Sequence, residues 1–278
     1  MAASLSTAGA TGPADALDDA QMIDWRASFK SAASAIAHVP GRLLFPPACA
    51  GCRRLVSEPG SLCPACWSTL TLIEPPWCPV MGTPFTHDMG EGFLSAAAIA
   101  NPPPYARARA AVAYAGVARD LVQGLKYRDR TDLARWMAKW MIRAGFELVP
   151  ACDLIVPVPL HRNRYFRRRF NQSAELARWL ALLSGRRFEP AVLIRRKPTR
   201  QQVGLDREAR EANVRAAFAV PKTSRRMIEG RRVMLVDDVY TTGATVASAT
   251  KALLRGGASA VDVLTFARVL PGDFRPEE

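Results

Sequence analysis

Apolar residues in this chain gather into short unbroken runs, separated by stretches with helical periodicity. The runs Leu154-Ile-Val-Pro157-Val158 and Val233-Met-Leu-Val236 hold no polar residue, Val261 to Ala267 is interrupted by Asp262 and Thr265, and all three are too short for helices. Such runs read as strands buried on both faces. Shorter strand candidates are Ala110 to Tyr114 and Ala191 to Arg195. Between the strands, the spacing predicts helices from near Ala118 to Tyr127, from Asp132 to about Ala144, from Gln172 to Leu183, and from the turn after Asp238 to about Leu254. Leu133, Trp136, Trp140 and Met141 make one apolar stripe, so the Trp pair reads as core rather than as a ligand platform. Strands alternating with helices predict an α/β fold with a parallel sheet, in which ligands bind at the carboxyl ends of strands. No internal repeat is visible.

Ahead of this core the pattern changes. Residues 1–22 are rich in Ala, Gly, Ser and Asp and are expected to be a disordered tail. Residues 23–44 carry Trp25, Phe29, Ala32, Ile36 and Leu43 at helical spacing, which predicts an amphipathic helix. Residues 45–104 hold two cysteine pairs and a Pro/Gly-rich connector, residues 105–270 the α/β domain, and 271–278 a second tail. No run of about 18 apolar residues exists, so no transmembrane segment is expected. The first residues lack a basic start and an apolar block, which predicts no secretion signal and leaves the cytoplasm as the expected location.

Cys49-x2-Cys52 and, ten residues on, Cys63-x2-Cys66 form two knuckles at the spacing that brings paired thiolates onto one metal ion. Four thiolates close a tetrahedral Zn²⁺ site with no open position, so the expected role is structural. Cys78-Pro79-Val80-Met81 resembles a third knuckle whose second thiolate is replaced by a thioether, a poor zinc ligand, and a second zinc is not supported. Cys152 precedes a buried strand and reads as core.

The net charge of +13 is concentrated. Residues 155–232 hold 20 Lys/Arg against 6 Asp/Glu, and the remainder holds 18 against 19. Such a block suits a diphosphate or a nucleic-acid backbone, and a solvated basic face is the plain structural alternative. No aromatic-rich strand of the kind that stacks single-stranded bases lies in it.

The most informative stretch is Val233 to Thr245. An aliphatic strand ends in Asp237 and Asp238, and the turn Tyr240-Thr241-Thr242-Gly243-Ala244-Thr245 opens a helix. Backbone N–H groups of Thr241 to Thr245, including Ala244, together with the three Thr hydroxyls, can wrap a phosphate at the positive end of the helix dipole, and Gly243 lets the backbone approach. The two acids would repel phosphate, so they suit vicinal sugar hydroxyls or a hydrated Mg²⁺. A lone Asp pair ending a strand and a Thr capping a helix would need no ligand. The four features in register point instead to a ribose 5-phosphate.

This run resembles the phosphoribosyl pyrophosphate signature of type I phosphoribosyltransferases. Asp153-Leu-Ile-Val-Pro157-Val158-Pro159-Leu160-His161, Arg168-Arg169-Phe170-Asn171-Gln172, Thr199-x2-Gln202-x-Gly204-Leu205 and Arg210-x2-Asn213, with the cysteine pairs in front, are similar to the ComF family of competence proteins in that superfamily. The resemblance covers roughly residues 40–270. It implies a parallel-sheet phosphoribosyltransferase core over 105–270 with a small zinc-ribbon-like module ahead of it. It further implies that Asp237 and Asp238 hold the ribose hydroxyls and that Thr241, Thr242, Gly243, Ala244 and Thr245 hold the 5-phosphate. Pro159, Leu160 and His161 would form the pyrophosphate loop, and residues 197–213 a closing lid. His161 suits a ligand contact and a local turn hydrogen bond equally. Mg²⁺ with Arg162, Arg164 or Arg169 would stabilise the leaving diphosphate, so electrostatics would carry pentosyl transfer to an unidentified nitrogenous acceptor. The same resemblance admits a different class of function. In it, the chain is a non-catalytic accessory of DNA uptake acting on single-stranded DNA or with a competence helicase. Tyr240 stands where the superfamily often has an aliphatic residue.

Overall fold

A computed structural model of the chain describes residues 46–127, 130–160, 170–196 and 217–270. The strands are β1 (Arg107–Ala113), β2 (Leu154–Pro157), β3 (Arg187–Phe188), β4 (Ile194–Arg195), β5 (Phe218–Ala219), β6 (Arg232–Tyr240) and β7 (Ala260–Arg268). Five of them form one sheet in the order β1-β7-β6-β2-β3, with every neighbouring pair parallel. This is the α/β parallel-sheet architecture the strand and helix pattern predicts.

The unbroken aliphatic runs have the predicted cause, since both faces of the sheet are covered. The helices α1 (Pro64–Trp67) and α2 (Ala96–Ala100) lie ahead of the sheet, followed by α3 (Gly116–Tyr127), α4 (Asp132–Ala144) and α5 (Gln172–Ser184). Met234, Val236, Leu264, Phe266 and Ile155 pack with α3, α4 and α5 in one buried cluster. Their strand neighbours Val233, Leu235, Val261, Val263, Leu154 and Val156 pack in a second. That second cluster also holds Val246, Ala249 and Leu253 of a helix that follows β6, beyond the short α6 (Arg225–Ile228), namely α7 (Ala244–Arg255).

Two strand expectations change. β1 begins three residues before the predicted Ala110, because Arg107 and Arg109 are strand residues whose charges are met, by Asp262 and Glu147 respectively. Residues 191–195 do not enter the main sheet; only Ile194–Arg195 is extended, paired antiparallel with Phe218–Ala219. Val192 and Leu193 are buried against the second cluster, and the sheet edge is taken by β3. The Trp stripe on α4 is also redefined. Leu133, Met137 and Met141 are the core face, whereas Trp136 and Trp140 are half-buried. Both pack on the rim of the first cluster, and Trp140 also meets Trp67 of α1 edge-on, 4.9 Å between ring centres, which docks the cysteine module there.

That module contains a structural repeat of which the sequence shows only the first half, the knuckle at Cys78 to Met81. Around the first knuckle, Cys49 N–H donates to Arg54 O and Arg53 N–H to Cys49 O, while Ala48 bridges Leu55. Around Cys78, the corresponding Cys78 to Thr83 and Gly82 to Cys78 bonds recur, and Trp77 bridges Pro84. Arg53 and Gly82 share the left-handed backbone, at φ 66° and 64°. Each knuckle is completed by a short helix whose first turn follows the third ligand position, α1 after Cys63 and α2 after Ser95. Between the two ribbons, residues 71–73 run antiparallel along the outer edge of β1, with Ile73 N–H to Ala111 O and Ala113 N–H to Thr71 O. The strand edge that would otherwise expose unpaired groups is thereby covered. Residues 47 onward form one compact unit.

At the amino end of the sheet Asp262 is fully buried and bracketed by Arg107 at 3.0 Å and Arg232 at 2.9 Å. The Asp262 hydrogen bonds hold the Arg107 guanidinium above its ordinary pKa. Removing one partner of a buried ion pair strands the other charge. Asp262→Ala should lower stability by about 3 kcal/mol, the lower end of the usual roughly 3–5, because both arginines can turn to water. Urea unfolding of the variant measures it.

Candidate functional site

β2 and β6 are neighbours whose outgoing helices lie on opposite faces of the sheet, α5 in one buried cluster and α7 in the other. A crevice opens at the carboxyl ends of two such strands, and ligands of open α/β sheets bind there. Pairing of β2 with β6 ends at Pro157 and Val236, and Val158 N–H donates to Val236 O. Asp237 and Asp238 are the next two residues of β6. They are not at its end, as the sequence suggests, since β6 stays paired to β7 as far as Tyr240 and Arg268. They sit where β6 has lost its β2 neighbour and is open on one side.

The carboxylate of Asp237 accepts the Ser173 hydroxyl at 2.7 Å and the Asp238 N–H at 2.9 Å. Ser173 lies in the first turn of α5, whose N-cap Asn171 also ties the end of β2 through its amide to Val158 O. Asp238, buried to 8% exposure, pairs with Lys126 Nζ at 2.9 Å. Burial, then the neighbouring Asp238 charge, pushes the Asp237 carboxyl up to about 7, against the opposing pull of Ser173 and Lys126. Burial disfavours the Lys126 ammonium, but the Asp238 charge outweighs it and keeps the pKa raised.

The turn after Tyr240 is built around a glycine. Gly243 stands at the helix N-cap with φ 81°, and a Cβ there would collide with the Tyr240 hydroxyl, so backbone conformation and packing both require glycine. Ala244 N–H leans on Thr242 Oγ1 at 3.5 Å. Tyr240 is buried, shares a 2.8 Å hydroxyl contact with Tyr105, and lies under the Arg268 guanidinium at 4.2 Å. Thr241, Thr242, Gly243 and Ala244 line a cavity of about 1180 Å³ that extends along α7. Pro159 and Leu160 follow β2 at the crevice and are partly buried. His161, Arg162, Arg164 and Arg169, and residues 197–213, where a lid is expected, lie outside the described residues.

Four side chains that sequence reading did not single out take part. Lys126 and Ser173 are ordinary helix residues until the fold brings them to the acids. The weak signal was a lysine in a helix's last turn and a serine beside the asparagine at a helix start. Tyr105 and Arg268 carried no signal, because their role depends on pairing across the sheet.

The first ribbon gathers its ligands as predicted. The sulfurs of Cys49, Cys52, Cys63 and Cys66 lie within 4.8 Å of one another, and Cys52 and Cys63 are 3.5 Å apart. Tetrahedral zinc with bonds of about 2.3 Å needs edges of roughly 3.8 Å, so the set fits Zn²⁺. Burial opposes ionisation of Cys49, but N–H groups of Cys63, Cys52 and Gly51 bring its pKa down to about 6. Burial and the surrounding thiols push Cys66 up to about 12. Four thiolates in one shell therefore require a cation. The equivalent set in the second ribbon, Cys78, Met81, Ser95 and Ala98, offers one thiol, a thioether, a hydroxyl and a methyl, and does not fit zinc.

Metal analysis should return one zinc per chain, and chelation should lower the melting temperature by several degrees, since metal binding in such modules is folding energy. An unchanged melting curve after zinc removal would contradict this. Asp237 makes a second expectation. An acid with a raised folded pKa stabilises only while protonated. Its contribution is full below about pH 4 and is lost as pH climbs through about 7. Asp237→Asn should therefore gain stability over the parent between about pH 5 and pH 7, with a constant gap above. Urea midpoints across that range decide it, and a gap independent of pH would refute the raised pKa.

The double zinc ribbon domain family matches residues 41–98. The DNA utilization protein YhgH of Escherichia coli K12 is 32% identical over 221 residues, covering 75% of this chain and 91% of that protein. Competence protein F of Haemophilus influenzae is 32% identical over 157 residues, covering 53% of this chain and 66% of that protein. Among solved structures, the glutamine phosphoribosylpyrophosphate amidotransferase from B. subtilis is 24% identical at a TM-score of 0.34, over 51% of this chain and 30% of that one. With nine-tenths of a relative matched at this identity, the chain belongs to the family of the DNA utilization protein YhgH and the ComF competence proteins.

Proposed function

We propose that the chain binds phosphoribosyl pyrophosphate with Mg²⁺ at the carboxyl ends of β2 and β6 and transfers its phosphoribosyl group to a nitrogenous acceptor. The observation that carries this reading is the sequence of groups along one strand end. Two carboxylates sit beside a left-handed glycine turn whose N–H groups start a 12-residue helix, all at the crevice between β2 and β6. In this reading the turn from Thr241 to Thr245 holds the 5-phosphate, and Asp237 and Asp238 accept hydrogen bonds from the ribose hydroxyls. The acceptor nitrogen forms a bond to the anomeric carbon as the bond from that carbon to the diphosphate oxygen breaks. The electron pair leaves with pyrophosphate, and the acceptor's proton is released. The ribose gains positive charge between these two events, and Asp237 and Asp238 stand where a negative field would stabilise it. Lys126 positions Asp238 through their 2.9 Å ion pair. Mg²⁺ bound with the diphosphate would neutralise charge on the leaving group.

A second reading is supported by the names of the relatives, which refer to DNA utilization and competence, and by the basic block of residues 155–232. Here the chain is an accessory protein that touches single-stranded DNA or a helicase partner.

Calorimetric titration of phosphoribosyl pyrophosphate, with and without Mg²⁺, tests the first reading. Asp237→Asn combined with Asp238→Asn should weaken binding at least tenfold, since each lost charged hydrogen bond is worth about 1.5–3 kcal/mol. Equal affinity in the double variant would remove the assignment. Replacing Arg162, Arg164 and Arg169 by Ala separates the two readings. Loss of small-ligand binding with little change toward DNA supports the transferase. A salt dependence of DNA binding that flattens by about 0.7 per lost phosphate contact supports the accessory role.

A further inference from the structure

The second ribbon keeps the backbone of a metal knuckle and has lost its metal chemistry. Hydrogen bonds hold its ligand positions together instead. Met81 N–H and Ser95 N–H donate to Cys78 Sγ at 3.4 and 3.5 Å, and Ser95 Oγ meets Met81 Sδ at 3.9 Å. The knuckle is fastened to the sheet by two buried arginines that donate to its carbonyls, Arg109 to Pro79 and Arg268 to Met81. Met81 and Ser95, at the second and third ligand positions, line the 1180 Å³ cavity whose other wall is the turn from Thr241 to Ala244.

We propose that this ribbon has exchanged its zinc for substrate binding, and that its second and third ligand positions, with Tyr105, Tyr240 and Arg268, form the pocket for an acidic aromatic acceptor. The proposal rests on the transferase reading above and adds where the acceptor sits and what it carries. Displacement at the anomeric carbon places nucleophile and leaving group on opposite sides of the sugar. β2, with Pro159 and Leu160 at its end, and β7, with Arg268, Val269 and Leu270, flank β6 on opposite sides. A diphosphate at the β2 side leaves the acceptor at the β7 side, where this cavity lies. Its volume suits a nucleotide-sized ligand rather than a bare phosphate. Its described lining includes Lys251, Arg255 and Arg268 and no carboxylate. Arg268 is 5% exposed, stacks on Tyr240, and has no carboxylate partner among the described residues. A buried guanidinium with no carboxylate partner among the described residues, facing a cavity that also holds Lys251 and Arg255, favours a ligand that brings an anion.

The probes are ribose 5-phosphate, uridine 5′-monophosphate and orotidine 5′-monophosphate, which add first a planar base and then one carboxylate on that base. Isothermal titration should give the order ribose 5-phosphate, uridine, orotidine, each step about tenfold tighter. Met81→Trp, which fills the pocket, should reduce the ratio of nucleotide to ribose 5-phosphate affinity at least about tenfold. Arg268→Gln should erase the preference for the carboxylate, and Arg268→Lys should retain part of it. Ribose 5-phosphate that binds while the nucleotides bind no tighter would overturn the pocket and leave the transferase reading standing. Failure of ribose 5-phosphate itself would overturn that reading and this one with it. Zinc content gives an independent check. The parent should hold one zinc, and Met81→Cys with Ser95→Cys and Ala98→Cys should hold two. Two zincs in the parent would refute the exchange.

Discussion

Adjacent carboxylates on a strand buried on both faces repel each other and lose hydration together, and much of the sheet's carboxyl end is arranged around that constraint. Asp238 is paired by Lys126, and Asp237 is met by the hydroxyl and helix start at Ser173. These partners come from α3 and α5, on the one face of the sheet. They do not remove the tension entirely, because burial and the second charge still hold the Asp237 carboxyl near neutrality. A residue poised in this way gains most from a ligand that brings hydroxyl donors or a cation, which is the physical link between the strained pair and the proposed sugar site.

The position of the pair follows from strand lengths. β2 stops pairing at Val236, while β6 runs on beside β7 to Tyr240. The four residues beyond Val236 are supported on one side and open on the other, so β6 can present acids to the crevice without leaving the sheet. Tyr240 then closes the supported side. Its ring lies beneath Arg268 and its hydroxyl meets Tyr105 and overhangs Gly243, so an aromatic residue at this position braces the turn.

The two ribbons, equal in backbone, dock differently. The first carries four thiols and meets α4 through Trp67 and Trp140. The second meets β1 and β7 through arginines, and Ala108 N–H donates to Val80 O. With residues 71–73 lying along β1, the module covers a sheet edge and supplies one wall of the cavity beside the turn from Thr241 to Ala244. Packing supplies the rigidity that metal would otherwise provide.

Continuous aliphatic runs determined the parallel sheet, because only strands covered on both faces can be apolar at every position. Local spacing determined the thiol quartet and the glycine turn, because two-residue knuckles and a left-handed N-cap are properties of a few consecutive residues. Two things escaped, one in part and one entirely. The second ribbon was legible only as the knuckle Cys78 to Met81, because its remaining ligand positions are Ser95 and Ala98 and its gap is thirteen residues rather than ten, so most of the repeat lies in the backbone and not in the side chains. Lys126, Ser173, Tyr105 and Arg268 were hidden because each is a common residue in its own element. Only the tertiary structure decided that they meet Asp238, Asp237, Tyr240 and Met81, since those contacts join segments far apart in the chain and no local pattern encodes such a distance.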